Sequence, residues 1–380
     1  MKIIIVGGVA GGASAAARIR RLDEKAQITL FERTGHISYA NCGLPYYVGG
    51  VIEDAEALTL QTPESFFARF RIDAKTRHEV TAIDRQRRTV TVKDLSTGQS
   101  FEERYDKLLL SPGAKPVIPS LPGINSPRVF TLRTVEDALA LRQHIEKRPP
   151  RSAVVIGGGF IGLETAENLT RVGAQVTVIQ RGSQLLAPLD EDMAPFLHAK
   201  MQQMGITLRL DAQVTGFEAL TEGVRISLAN APSLEADLVV LAVGVTPDSA
   251  LAKAAGLTLG LKDSILVNAR MQTSDPNIYA VGDAVQVRHG VSGKEVLIAL
   301  AGPANKQGRI AADNICGGSS FYKASYGSSV IKVFDMTIAF TGLNEKAAKA
   351  AKLTYQKVIL SPDSHAGYYP GGRAMTLKLL

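Results

Sequence analysis

Ala153-Val154-Val155-Ile156-Gly157-Gly158-Gly159-Phe160-Ile161-Gly162-Leu163-Glu164 is the stretch whose reading decides the fold. A short β-branched run enters three glycines, a small-residue helix follows through about Val172, and a second strand runs from Gln175 to Gln180. Gly157, Gly159 and Gly162 meet the full G-x-G-x-x-G spacing. The first permits a tight turn, the last lets the helix pack closely on the strand, and the helix N-terminus offers amide N–H groups to a pyrophosphate. Phe160 and Ile161 open that helix, and they are counted with the glycines and Gly244 as coenzyme-site residues. The second strand ends in Gln180-Arg181, where an NADH site carries an acid on the ribose. An amide followed by a cation discriminates less against a 2′-phosphate, so NADPH or dual use is expected over strict NADH use. A merely solvated Arg181 is the competing reading.

The same pattern stands at the N-terminus. Residues 2 to 6 form a strand, 7 to 12 a glycine turn, 13 to 22 a helix and 27 to 32 a second strand. Here Gly7 and Gly12 keep the spacing, Val9 replaces the middle glycine, and Ala10 and Gly11 supply the close backbone approach. Glu32 follows Gly12 by 20 residues, placed to accept hydrogen bonds from ribose hydroxyls. Two such βαβ units in one chain predict an α/β architecture with parallel sheets. Segments 77–83, 89–95 and 101–110 read as further strands. From about Ser325 the pattern changes to strands near Ser329–Phe334 and Ile338–Thr341 and a helix over Glu345–Lys352.

With 380 residues, 45% apolar and 21% charged, the chain has the makings of two or three globular domains and is not disordered or fibrous. The net charge of +7 is modest, and Arg85-Gln86-Arg87-Arg88 reads as a solvated hairpin face, so no nucleic-acid partner is expected. No window of 18 apolar residues suggests a membrane span. The opening Ile3–Val6 run stops after four residues and reads as a strand, not a leader. Cys42 and Cys316 cannot make a disulfide framework; free thiols fit a reducing compartment, and the cytoplasm is the expected location. No metal site is expected.

Cys42 sits in Ser38-Tyr39-Ala40-Asn41-Cys42-Gly43-Leu44-Pro45-Tyr46-Tyr47, close after Glu32. A thiol at a helix start beside the dinucleotide that Glu32 would hold is expected to have a depressed pKa and to be nucleophilic at neutral pH. No second Cys lies within five residues, so its oxidised form would be a mixed disulfide, a persulfide or a sulfenic acid. Cys316 reads as a helix-end core residue.

A third block, Thr273 to Ala284, ends a strand at Gly282-Asp283 and supplies a carboxylate after a close-approach glycine. With the two turns and the Ser38–Tyr47 block, the sequence resembles the pyridine nucleotide-disulfide oxidoreductases, in the single-cysteine branch of coenzyme A disulfide reductases and CoA-persulfide reductases. The resemblance implies two Rossmann-like domains and a C-terminal α+β dimerisation domain, with boundaries 1–115 plus 245–322 for FAD, 116–244 for NAD(P) and 323–380 for part of the third. It implies FAD on Gly7, Ala10, Gly11, Gly12, Glu32, Arg33, Val80, Gly113, Ala114, Asp283, Leu300 and Ala301. It implies a coenzyme A disulfide or persulfide site built from Ser14, Arg18, Arg21, Ser38, Asn41, Cys42 and Asn305. Without it, Arg18 and Arg21 read as plain helix-surface charges. Tyr368 and Tyr369 would reach the active site of a partner subunit in a homodimer.

The family continues past Thr376-Leu377-Lys378-Leu379-Leu380, which reads as mid-strand, so an unfinished dimerisation domain with an exposed apolar edge is expected. The expected activity is NAD(P)H-dependent reduction of the CoA disulfide or persulfide through Cys42. The rivals are an NADH oxidase or peroxidase working through a Cys42 sulfenic acid, and a flavin- or NAD(P)H-binding protein without turnover.

Overall fold

The computed structural model describes all of residues 1–380. Lys2–Val6 lies at the centre of a five-stranded parallel sheet, between Gln27–Phe31 and Lys107–Leu110, with Asp73–Lys75 and Ile278–Ala280 at the edges. Ser152–Ile156 holds the same place in a second parallel sheet, between Gln175–Ile179 and Leu238–Leu241, with Thr207–Arg209 and Val129–Thr131 outside. Both central strands are almost wholly buried, which is why they read as continuous β-branched runs without alternation. In each sheet the order reverses beside the central strand, and the glycine turn leaves that strand at its carboxyl end. This switch point is where open α/β sheets present their crevice.

Gly7 and Gly157 explain why the turns are tight. Their φ angles are +94° and +110°, and a Cβ on either would meet a backbone carbonyl oxygen, of Ser111 at 2.1 Å and of Ala242 at 2.2 Å. The first helix spans Ala10–Leu22, three residues earlier than the expected 13–22, because Gly11 and Gly12 already belong to its first turn. The second spans Phe160–Arg171, with Gly159 as its N-cap.

Three-stranded antiparallel sheets, His78–Asp84 with Thr89–Asp94 and Ser100–Arg104, and Val214–Leu220 with Gly223–Leu228 and Leu234–Ala236, flank the parallel ones. Ala114–Pro116 pairs with Val245–Pro247, tying the two crossings between the parallel sheets together. The last part carries the hairpin Ser329–Val333 with Met336–Phe340, the helix Glu345–Ala350, and the pair Val358–Leu360 with Leu377–Leu379. The expected strand at the last residues is present. No helix is long and apolar enough to cross a membrane.

Lys378 fixes this last strand pair to the second parallel unit. Its side chain is 5% exposed, and its ammonium stands among Asp190 (3.1 Å), Asp192 (2.6 Å) and Glu345. Lys357 and the Tyr355 hydroxyl also reach Glu345, and these partners, Lys378 first, pull the Glu345 carboxyl down to about 2.

Candidate functional site

Between the two glycine turns lies one cavity of about 1250 Å³, larger than the roughly 300–1,000 Å³ of a drug-sized ligand's pocket. Its walls include Gly7, Ala10, Gly11, Glu32, Arg33, Val80, Gly113, Ala114, Asp283, Leu300 and Ala301 at one end, and Gly159, Phe160, Ile161 and Gly244 at the other. Asn41 and Cys42 lie on the wall between them. Gly12, Gly157 and Gly162 act from beneath. A Cβ at Gly12 would meet Gly7 O at 1.9 Å, and one at Gly162 would meet Gly157 O at 1.9 Å, so their lack of a side chain keeps helix against strand.

The first end is built for an anion. The Ala10–Leu22 helix has no side-chain cap and no acid in its first turn, so its first amides remain free to donate. Glu32 is buried and braces the turn: Oε2 accepts the Gly8 N–H at 2.8 Å, and Oε1 accepts the Thr34 N–H at 2.9 Å. Arg33 reaches across to Asp248 at 2.7 Å, a strap between the two crossings of the chain. Sequence reading missed Arg133, a cavity residue from the loop before the Val135–Lys147 helix. It donates to Asp283 at 2.8 Å and to the Ala114 carbonyl at 3.2 Å. No motif signals it, because its partners come from residues far apart in the chain.

At the second end Gln180 stands where Glu32 stands at the first. Its Oε1 accepts the Gly158 N–H at 3.0 Å. The amide thus keeps the brace and leaves out the charge. Gln180 and Arg181 brace and flank the turn and are not on the cavity wall. Arg181 is exposed and has no hydrogen-bond or ion-pair partner. Arg209, on the neighbouring strand, is likewise exposed and unpaired, and its carbonyl accepts the Gln180 N–H at 2.9 Å. Two free guanidiniums therefore flank this strand end.

Cys42 occupies a single 3-10 turn, Asn41–Gly43, just before the short helix Leu44–Val48, and is exposed toward the cavity. The expected depressed thiol pKa is not what this environment produces. Surrounding protein atoms push the Cys42 thiol up from its usual value, the Glu164 carboxyl pushes it further, and only Arg133 opposes them. The three-residue turn carries too little aligned dipole to offset this. Glu164, also unsignalled in sequence, lines the cavity and is raised to about 7, chiefly by burial. Tyr46 donates its hydroxyl to Glu164 Oε1 at 3.4 Å.

The remaining expected substrate residues lie off the cavity wall. Ser14, Arg18 and Arg21 share one face of the Ala10–Leu22 helix. The Ser14 hydroxyl donates to Asn305 Oδ1 at 2.9 Å, Arg18 pairs with Asp313 at 2.8 Å, and the Arg21 guanidinium lies 5.8 Å from the Phe70 ring centre. Ser38 has φ +47° and its carbonyl accepts the Leu60 N–H, which draws the segment before Cys42 against the next loop. Tyr368 and Tyr369 are 91% and 67% exposed, in the loop before Leu377–Leu379, and do not reach this chain's own cavity. Cys316 caps the Ala301–Ile315 helix and packs against the core, as expected.

Residues 1–308 match the sequence family described as Pyridine nucleotide-disulphide oxidoreductase. The chain belongs to this family. It is similar, at 36% identity over 379 residues, to the coenzyme A disulfide reductase of Staphylococcus epidermidis, covering all of this chain and 84% of that one. Among solved structures, the reduced CoADR-RHD of Bacillus anthracis superposes with a TM-score of 0.97 at 46% identity, over 99% of this chain and 68% of that one. An NAD-dependent persulfide reductase from A. fulgidus superposes with a TM-score of 0.96 at 37% identity, over 100% of this chain and 71% of that one. The α/β architecture is thus that of the family. Its two parallel sheets meet at the cavity that Cys42 faces.

Proposed function

We propose that the protein is an FAD-dependent NAD(P)H oxidoreductase that reduces coenzyme A disulfide or CoA persulfide through Cys42. The observation that carries this reading is a lone cavity-facing cysteine between two dinucleotide turns. Similarity to a coenzyme A disulfide reductase and a persulfide reductase supports the substrate class. The FAD unit would comprise 1–115 and 245–322, the NAD(P) unit 116–244 and the third unit 323–380.

The first end of the cavity fits FAD. Free amides at the start of Ala10–Leu22 would hold its pyrophosphate, Glu32 its ribose and Asp283 its ribityl chain, and Gly11 lets the helix start pack against Ser111 and Val281, which a Cβ there would meet at 2.8 Å. When bound, FAD accepts hydride from the nicotinamide and delivers electrons to sulfur. Phe160, Ile161, Gly159 and Gly244 would seat the nicotinamide coenzyme, with Arg181 and Arg209 flanking a 2′-phosphate, so NADPH or dual use is expected over strict NADH use. Ser14, Arg18, Arg21, Ser38, Asn41 and Asn305 would hold coenzyme A, whose phosphates suit guanidinium groups. Cys42 as thiolate attacks the substrate disulfide, forming a mixed disulfide and expelling a thiolate. Tyr368 and Tyr369, exposed as they are, would serve the site of a second copy.

The test is anaerobic titration with NADPH followed by CoA disulfide. Flavin bleaching reversed by the disulfide, with about two CoA thiols released per NADPH, is expected. Cys42→Ser is expected to keep the bleaching and lose the turnover. Turnover retained in that variant refutes the assignment.

A further inference from the structure

The guanidiniums of Arg18 and Arg20, neighbours near the end of Ala10–Leu22, are held in opposite ways. Arg20 is used up: Nε donates to the Phe70 carbonyl at 2.7 Å, Nη1 to those of Asp23 and Glu24, and Nη2 to that of Arg71. Arg18 makes a single bond, from Nε to Asp313 Oδ1 at 2.8 Å. Its Nη1 and Nη2 have no partner, and its side chain is 37% exposed. At Arg87 and Glu102, where an ion pair only ties two strands of a hairpin sheet, the fork closes on the carboxylate, Nη1 on one oxygen and Nη2 on the other. At Arg18 the fork is left open.

Asp313 is itself fixed. It stands in the last turn of Ala301–Ile315, which packs along Ala10–Leu22 so closely that a Cβ on Gly308 would meet the Gly11 carbonyl oxygen at 2.4 Å. A carboxylate there faces the negative end of its own helix dipole, so a cation is the partner it favours. Its other oxygen, Oδ2, accepts the Ser320 hydroxyl at 2.7 Å. Ser320 is clasped in turn by Asn314, whose Oδ1 accepts the Ser320 N–H at 3.1 Å and whose Nδ2 donates to the Ser320 carbonyl at 2.8 Å. Further back on the face that carries Asp313, Asn305 accepts the Ser14 hydroxyl through Oδ1, so both proposed coenzyme A contacts of the first helix are braced by the second.

Resting on the reading of Arg18 as a coenzyme A ligand, we propose that Asp313 is a positioning residue for the substrate: it takes Nε, sets the plane of the guanidinium, and leaves the Nη1–Nη2 edge to a phosphate of coenzyme A. A guanidinium is planar and rigid, so fixing one nitrogen and the direction of its bond aims the other two. Two phosphate oxygens fit that edge as the two oxygens of Glu102 fit the fork of Arg87. Without Asp313 the Arg18 side chain spreads over several rotamers, and binding has to restore the one that serves.

The experiment compares CoA disulfide with pantetheine disulfide, the same thiol arms without the phosphates and the nucleoside, on the FAD-loaded protein. In Asp313→Ala the ratio of kcat/KM for CoA disulfide over pantetheine disulfide is expected to fall about tenfold, the scale of one charge-assisted hydrogen bond. The loss is carried by KM, because a contact remote from the sulfurs acts alike on bound substrate and transition state. Asp313→Asn keeps an oxygen for Nε and restores most of the ratio. That separates aim from charge, since by charge alone both neutral variants would bind the anionic substrate more tightly. A loss of packing instead lowers turnover of both disulfides together, and flavin content with it. Where Asp313→Ala does not fold, Ser320→Ala, which frees Oδ2, moves the same ratio in the same direction. An unmoved or raised ratio in the folded variant while Arg18→Ala lowers it, or an equal loss for both disulfides, overturns the proposal. A ratio that Arg18→Ala also leaves unmoved would instead fail the reading of Arg18 beneath it.

Discussion

Coenzyme choice is tested by exchanging the charges at the end of Gln175–Ile179. In Gln180→Glu with Arg181→Ala, the new carboxylate keeps the brace, since Glu32 makes the same bond to Gly8 at 2.8 Å that Gln180 makes to Gly158 at 3.0 Å. The turn therefore stays intact and only the charge changes. A carboxylate near a 2′-phosphate costs about 1–3 kcal/mol at the effective dielectric of a protein surface. Losing the exposed Arg181 adds about 1 kcal/mol, because solvent screens an exposed pair. Together, about 2–4 kcal/mol disfavours NADPH, while a ribose hydroxyl of NADH gains an acceptor. At about 1.4 kcal/mol per tenfold, the ratio of kcat/KM for NADPH over NADH is expected to fall roughly 30- to 1,000-fold. The assay is steady-state NAD(P)H oxidation with CoA disulfide, at low and high salt. The NADPH reaction of the unaltered protein should weaken more with salt than the NADH reaction, as screening of exposed charges requires. Equal losses for both coenzymes, or an unmoved ratio, refute the reasoning.

Two further outcomes test the framework. Gly7→Ala places a methyl 2.1 Å from the Ser111 carbonyl at φ +94°, and roughly 1–3 kcal/mol of strain should lower the melting temperature by several degrees and weaken flavin retention together. An unchanged melting curve with full flavin content contradicts it. The Lys378 clamp should be acid-labile. Glu345 is held below its unfolded value, so its contribution is complete above about pH 4.3, the unfolded carboxyl value, and is lost as pH falls through about 2. Hydrogen exchange at Leu377–Leu379 should rise over that window ahead of the parallel sheets, and Lys378→Met should show fast exchange there already at pH 7. Uniform protection across the chain would rule the clamp out.

Much of this protein is written locally. Gly157 and Gly162 announce a turn because sterics alone demand glycine where φ is positive and where a helix start touches the turn beneath it. Gly7 and Gly12 repeat the message, and Glu32 follows at the length of one helix and one strand. These constraints reach no further than a βαβ unit, so they are legible without knowing what lies opposite. The early start of the Ala10–Leu22 helix was the small miss, since a glycine-rich first turn hides its helicity. The charge state of Cys42 was the larger one. Its neighbours in sequence suggested a helix start that would lower the thiol pKa, but burial by the folded chain raises it, and Glu164, more than a hundred residues on, adds to that. Arg133 on Asp283, Arg33 on Asp248, Arg18 on Asp313 and Lys378 among Asp190, Asp192 and Glu345 likewise join distant segments. Sequence by itself determined where phosphates can be cradled, because that is a matter of backbone conformation over a dozen residues. The tertiary structure decided which charges are neutralised and which stand unpaired, because electrostatics acts through space and a chain's order does not record it.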